Sequence, residues 1–276
     1  MLEHHIADWD NAYANGANIA GSDRWPEAWA QPARAFRDAV SAEGRARLDI
    51  AYGDNPRNRL DLFLPATKPR GLVVFVHGGY WKAFDKSFWS HLAAGAIGHG
   101  YAVAMPSYTL CPEIRIAGIV REVGSAIGKA AEMVEGPMML AGHSAGGHLV
   151  SRMASATTPL VPKVASRIRH VVSISGVHDL RPILRTGMNA TLEIDEAEAQ
   201  AESPALLRPM DNARITCWVG GGERAEFLRQ SALLANIWTG LGAATNSVVE
   251  PDRHHFNIVD GLADPDHPLT RTLIAE

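Results

Sequence analysis

The segment Gly142-His143-Ser144-Ala145-Gly146-Gly147 contains a G-x-S-x-G pattern that directly follows an apolar run, Pro137 to Ala141 (PMMLA), and directly precedes a stretch of helical composition. A serine so placed is lifted clear of a sheet by a sharp strand-to-helix turn, which small flanking residues allow to close, and its hydroxyl can act as a nucleophile. Taken alone, the pentapeptide fits a plain Gly/Ser turn about equally well. Context favours the chemistry. The run Leu72 to Val76 (LVVFV) ends in His77-Gly78-Gly79-Tyr80-Trp81, where paired glycines let backbone N–H groups turn towards a neighbouring pocket. The amides of Gly79 and Tyr80, with Gly78 as a further donor, would join that of Ala145 around the negative oxygen of a tetrahedral intermediate.

A serine nucleophile needs a base, and the base needs an acid to orient it, in the chain order Ser, acid, His. After the run Ile215 to Val219 (ITCWV) comes Gly220-Gly221-Gly222-Glu223-Arg224-Ala225-Glu226-Phe227, and after Ser247 to Glu250 comes Arg253-His254-His255-Phe256-Asn257. Glu223 is the candidate acid, with Glu226 as the alternative. His255 is preferred to His254 as the base, and spacing alone does not separate the two.

These residues must be positioned by something, and the apolar runs say what. LVVFV, Tyr101 to Met105 (YAVAM), PMMLA, His170 to Ile174 (HVVSI) and ITCWV are continuous, as in buried parallel strands covered by helices on both faces. Segments of helical composition lie between them, at Ile114 to Val134, Gly147 to Ala156 and Ala225 to Leu241. The alternation predicts one α/β domain over 1–276 with a doubly wound, mostly parallel sheet. Two alternating runs, Ala46 to Tyr52 and Arg59 to Leu64, separated by Gly53-Asp54-Asn55-Pro56, predict an antiparallel pair at a sheet edge. Residues 1–45 read as an arm packed on the body, with a helix around Pro32 to Val40. Gly176 to Pro209 is too long for a simple connection and predicts helices of its own above the strand ends, as a cap over the site or as a surface excursion.

Composition narrows the function classes. The 276 residues carry 26 Lys+Arg against 30 Asp+Glu, a formal net charge of -4, so no basic face for nucleic acid or for an anionic membrane is expected. Met1 to Asp10 has neither a basic nor an apolar signal region, and no apolar run approaches the roughly 20 residues of a membrane span. The expected location is the cytoplasm and the expected partner a small molecule; a homodimer is left open. Cys111 and Cys217 are distant and lack CxxC spacing, which predicts two reduced, half-buried thiols.

The combination of HGGYW at 77–81, GHSAGG at 142–147, SGVHDLRP at 175–182 and HHFNIV from His254 resembles the kynurenine formamidase (arylformamidase) branch of the α/β-hydrolases, near the hormone-sensitive-lipase-like esterases. The resemblance runs over nearly the whole chain and takes in Asp10-Asn11-Ala12-Tyr13 and Tyr108-Thr109-Leu110-Cys111-Pro112. It implies an α/β-hydrolase fold with a nucleophile at Ser144, an acid at Glu223, a base at His255, the histidine before phenylalanine, and an oxyanion loop at Gly78-Gly79-Tyr80. Family members often carry Asp where this chain has Glu223, and the longer arm can serve the same role. The implied reaction is hydrolysis of N-formyl-L-kynurenine to L-kynurenine and formate, a step of tryptophan catabolism. A broad carboxylesterase is the alternative, and a non-catalytic binding module of the same fold is a further one.

Trp81 and Tyr108 are the expected aromatic walls for an aryl substrate, whereas Phe88 and Trp89 read as core. Other constellations fail. Gly124-Ser125-Ala126-Ile127-Gly128-Lys129-Ala130 is one residue short of a phosphate loop and lacks its final Ser or Thr, so it reads as helix interior. The 12 histidines include the adjacent pairs His4-His5 and His254-His255, whose rings point apart on a helix or strand. Neither a cofactor nor a metal is expected.

Overall fold

The computed structural model describes residues 5–275, so His4 lies outside the described residues. Eight strands form one sheet: β1 (Ala46–Ala51), β2 (Arg59–Phe63), β3 (Leu72–Val76), β4 (Ala102–Pro106), β5 (Met138–His143), β6 (Ile168–Ile174), β7 (Arg214–Gly220) and β8 (Ala244–Glu250), in the order β1-β2-β4-β3-β5-β6-β7-β8. β1 runs antiparallel to β2 at one edge and β2 antiparallel to β4, while β3 to β8 are mutually parallel. This is the α/β-hydrolase sheet expected from the sequence.

Every residue of β3, β4 and β5 is buried, which is why these strands read as unbroken apolar runs. Alternate side chains serve opposite faces: Leu72, Val74 and Val76 enter one core cluster, and Val73 and Phe75 the other. Fully burying one such side chain contributes about 1.5–3 kcal/mol. The first cluster is closed by the helix Ile116–Met133, which buries Ile116, Ile119, Val120, Val123 and Ile127 at helical spacing. The glycine- and lysine-containing stretch at 124–130 lies inside this helix.

The arm helix begins at Trp25 rather than near Pro32 and runs to Ala42. Proline suits a first helical turn, and Pro26 takes that place while Pro32 sits inside the helix. The Gly176–Pro209 stretch folds into short helical pieces that pack on neighbouring helices. Gln230 Oε1 accepts from the main-chain N–H groups of His178 and Asp179 at 2.8 Å each, and Arg152 pairs with Glu202 at 2.7 Å. Cys111 and Cys217 are both free and buried, deeper than the half-buried thiols expected. Among the described residues no helix is long and apolar enough to cross a membrane.

Candidate active site

In the sheet order the chain leaves β3 for β4 on one side and then crosses to β5 on the other, so β3 and β5 flank the switch point where α/β sheets open a crevice. Val76 pairs in register with Gly142. The loop after β3 and the turn after β5 therefore emerge side by side. Ser144 stands in that turn, between β5 and the helix Ala145–Met153, with φ 55 and ψ −115. An L-residue there pays of order 1–3 kcal/mol in backbone strain, which the surroundings must hold. They do so by close packing. A Cβ on Gly146 would lie 1.9 Å from the Val76 carbonyl oxygen, so only glycine lets the helix start against β3. Ala145 is the first residue of this helix, and its N–H belongs to the turn in which no i−4 carbonyl is available.

Beside it, the loop after β3 turns through positive φ at Gly79 (111), Tyr80 (51) and Trp81 (57). A Cβ on Gly79 would meet the Ala83 carbonyl oxygen at 2.3 Å, so the turn requires glycine there. Two aromatic residues in left-handed conformation need anchors. Trp81 is buried and its Nε1 donates to His148 Nδ1 at 3.2 Å. The Tyr80 hydroxyl donates to the Tyr13 carbonyl oxygen at 2.6 Å and accepts from Asn15 Nδ2 at 3.0 Å. Burial pushes that phenol up to about 12, so it remains a donor at ordinary pH.

His255 Nδ1 lies 2.6 Å from Glu223 Oε2, and both side chains are buried. The other carboxylate oxygen accepts from Gly220 N–H at 2.9 Å and from the Ser175 hydroxyl. Glu226 is engaged elsewhere, by the Tyr13 hydroxyl at 2.6 Å and by Arg229 at 2.6 Å. His254 faces away, edge-on to Trp25 with ring centroids 5.2 Å apart. His143, the last residue of β5, donates from Nε2 to the His255 carbonyl oxygen at 2.9 Å. Burial, and His255 beside it, hold His143 well below the ordinary imidazole range, so its ring stays neutral.

Ser144 and His255 open into one pocket of about 220 Å³ together with Gly79, Tyr80 and His143. Its walls are aromatic: Trp25, Trp29, Phe84, Trp89 and Phe256. Trp29 organises them, with its ring centroid 5.3 Å from Phe256, 5.5 Å from Trp89 and 5.9 Å from Phe84. Trp81 and Tyr108, expected as walls, are core residues instead. Trp81 anchors the loop after β3, and Tyr108, wholly buried, stacks on His77 at 4.4 Å and donates to its carbonyl oxygen. The roof comes from the arm, through Gly16, Ser22, Asp23, Trp25 and Pro26, and no residue of 176–209 lines the pocket. Among the described residues no group of three or more His, Cys, Asp or Glu is placed to hold a metal ion.

Compared with known proteins, the chain is 30% identical over 241 residues to the kynurenine formamidase of Salmo salar, an alignment that spans 82% of this chain and 80% of the relative. The chain belongs to the kynurenine formamidase family. The BD-FAE family model also matches, over residues 60–211, which takes in β2 to β6 and the nucleophile turn. Among solved structures, a Silicibacter sp. TM1040 protein provisionally described as a thioesterase superposes with a TM-score of 0.93 at 49% identity, covering 97% of this chain and 99% of that one. Esterase B of Lactobacillus rhamnosis matches at a TM-score of 0.67 with 18% identity and 91% coverage of each chain, and shows the shared fold. Membership of this family makes the protein a hydrolase.

Set against this formamidase framework, sequence reasoning overlooked three groups. Trp25 and Trp29, four residues apart, share one face of the arm helix, a spacing visible in the sequence. Ser175 opens the SGVHDLRP stretch, yet nothing in its spacing joins it to Glu223. Asn15 carries no local signal at all, because its partner Tyr80 is 65 residues away.

Proposed function

We propose that the protein hydrolyses a small aryl formamide, N-formyl-L-kynurenine, through an acyl-enzyme on Ser144. The observation that carries this reading is the aromatic pocket into which Ser144 and His255 both open. Such rings accept an aryl group by stacking and edge contacts, leaving a one-carbon formyl group beside the serine. Family membership supplies the reaction class.

In this mechanism Ser144 Oγ attacks the formyl carbon while His255 Nε2 takes its proton. Glu223 holds the imidazole through Nδ1 and stabilises its cation. The oxyanion is met by the main-chain N–H groups of Gly79, Tyr80 and Ala145, with Gly78 as a further donor from the same loop. His255 returns the proton to the departing arylamine nitrogen, which leaves a formyl ester on Ser144. Water, activated by the same histidine, then releases formate and restores the serine. No cofactor takes part. We place the activity in the cytoplasm, which suits the two free thiols.

A short-acyl aryl ester is the second reading, and one observation favours it. The pocket wall includes neither Lys nor Arg to meet an amino-acid carboxylate. The deciding experiment is kcat/KM on N-formyl-L-kynurenine beside p-nitrophenyl acetate, with Ser144→Ala as the blank. A strong preference for the formamide upholds the first reading, and ester turnover alone replaces it with the second.

A further inference from the structure

The oxyanion loop is tied to a part of the chain that ordinarily has no place in serine chemistry. Asn15 is 2% exposed, and its side-chain amide donates to the Tyr80 hydroxyl at 3.0 Å. A buried amide is costly unless hydrogen-bonded, so this contact has a strong claim on the geometry of both residues. The same hydroxyl donates to the main-chain carbonyl of Tyr13 at 2.6 Å. Tyr13 in turn reaches the other half of the site: its hydroxyl donates to Glu226, three residues beyond Glu223, and its ring meets Phe227 at 5.9 Å. Phe227 lies 4.5 Å from the His255 ring. The segment Tyr13–Asn15 thus bridges the loop that carries the oxyanion donors and the helix Ala225–Gly240 that follows Glu223.

We propose that Asn15 is a positioning residue: through the Tyr80 hydroxyl, it and the Tyr13 carbonyl hold the Tyr80 main-chain N–H on the developing oxyanion. This rests on the reading of Gly79 and Tyr80 as oxyanion donors. Tyr80 sits at φ 51, a conformation that an aromatic residue leaves readily unless held. Rotation of that peptide would swing its N–H away from the serine without disturbing the pocket walls. The arm does not depend on Asn15 for docking, since Asn11 accepts from Arg224 at 3.1 Å and Asp10 accepts from the Gly187 N–H at 2.6 Å. Loss of the Asn15 amide therefore alters the loop and leaves the arm seated.

The test uses Asn15→Ala, Tyr80→Phe and the double variant in the full chain, with kcat and KM on the preferred substrate, the inhibition constant of an arylboronic acid, and the pH profile of kcat/KM. Removing one oxyanion donor costs about 10²–10³ in kcat, so a misaimed one should cost less, about 10-fold for Asn15→Ala and about 10–100-fold for Tyr80→Phe. KM should change by less than about 3-fold, boronate affinity should fall in parallel with kcat/KM, and the pH midpoint should stay put. Because both changes act through one hydroxyl, the double variant should be no slower than Tyr80→Phe alone. Unchanged kcat in both single variants, a loss confined to KM, or fully additive losses would overturn the inference. Should Tyr80→Phe fail to fold, Asn15→Ala alone still decides through the kcat and boronate readouts. An organophosphate arm on the wild type separates the two levels. Active enzyme that is not labelled at Ser144 removes the underlying mechanism and this inference with it, whereas labelling with wild-type kinetics in the variants removes the inference alone.

Discussion

Glu223 Oε2 lies 2.6 Å from His255 Nδ1, and the opposite oxygen of the same carboxylate is fixed by Gly220 N–H and the Ser175 hydroxyl. The carboxylate is thereby held at both oxygens, and His255 lines the same pocket as Ser144. Glu226 stands three residues on, in the first turn of the helix Ala225–Gly240. It is excluded because its oxygens are already held by Tyr13 and Arg229.

Glu223→Gln and Glu226→Gln should therefore behave oppositely. The first presents an amide to His255 and favours the wrong tautomer, and kcat should fall by about 10⁴, as for the corresponding change in a well-studied triad. The second should keep kcat within a few-fold and lose about 1–3 kcal/mol of stability, because a buried charged acceptor for Tyr13 is replaced. Steady-state rates and urea unfolding on the two variants distinguish these outcomes, and a large kcat loss in Glu226→Gln would reverse the assignment.

Ser144→Ala should lower kcat by about 10⁴–10⁶ while leaving thermal stability near that of the wild type. Near-normal turnover by the folded variant would rule out the acyl-enzyme. The strained backbone at Ser144 is held by packing and by its own N–H to the Ile174 carbonyl at 2.8 Å, neither of which involves the hydroxyl.

Trp25→Ala should raise KM for an aryl formamide by about 5–30-fold, since this half-buried ring forms part of the wall against Trp29 and Phe256. Turnover of ethyl formate, which has no ring to lose, should barely change. Equal effects on both substrates would mean that the aromatic wall serves the fold and not the substrate.

Acid should destabilise the protein before the carboxylates titrate. Burial lowers His77 to about 4, His148 to about 3 and His178 to about 4 from an ordinary 6.5. The native state keeps these rings neutral while the unfolded chain takes up protons, so their contribution is complete above about 6.5 and is lost as pH falls towards 4. Each contributes a slope of up to about 1.4 kcal/mol per pH unit in that window. Asp260, raised to about 6 by burial, acts in the other direction but stands against these three and against His91, His143 and His170, which burial also lowers. Calorimetry at pH 7.5 and pH 5 should show a lower Tm at pH 5, and a rise would contradict the buried neutral assignment.

The fold was largely legible because its signals are local. Continuous apolar runs mark strands covered on both faces, and β5 with its glycine-flanked serine can be read from ten consecutive residues. The glycine pair after β3 belongs to the same kind of signal, since a backbone that turns through φ 111 at Gly79 accepts no other residue without strain. The walls were less legible. Tyr80, Trp81, Phe84 and Trp89 lie close together in sequence, yet Trp81 is buried away from the pocket, whereas Phe84 lines it and Trp89, a core residue as expected, lines it as well.

The sequence by itself determined the fold class and the sharp strand-to-helix turn at Ser144, because both depend on short-range spacing and on hydrophobic periodicity. Tertiary structure alone decided which glutamate holds His255, which aromatic rings face the pocket and that the arm forms its roof. Those choices depend on hydrogen-bond partners more than 200 residues apart, such as Tyr13 with Glu226 and Trp29 with the Phe256 carbonyl, and on which groups are already saturated when the chain closes. Local spacing carries no record of either.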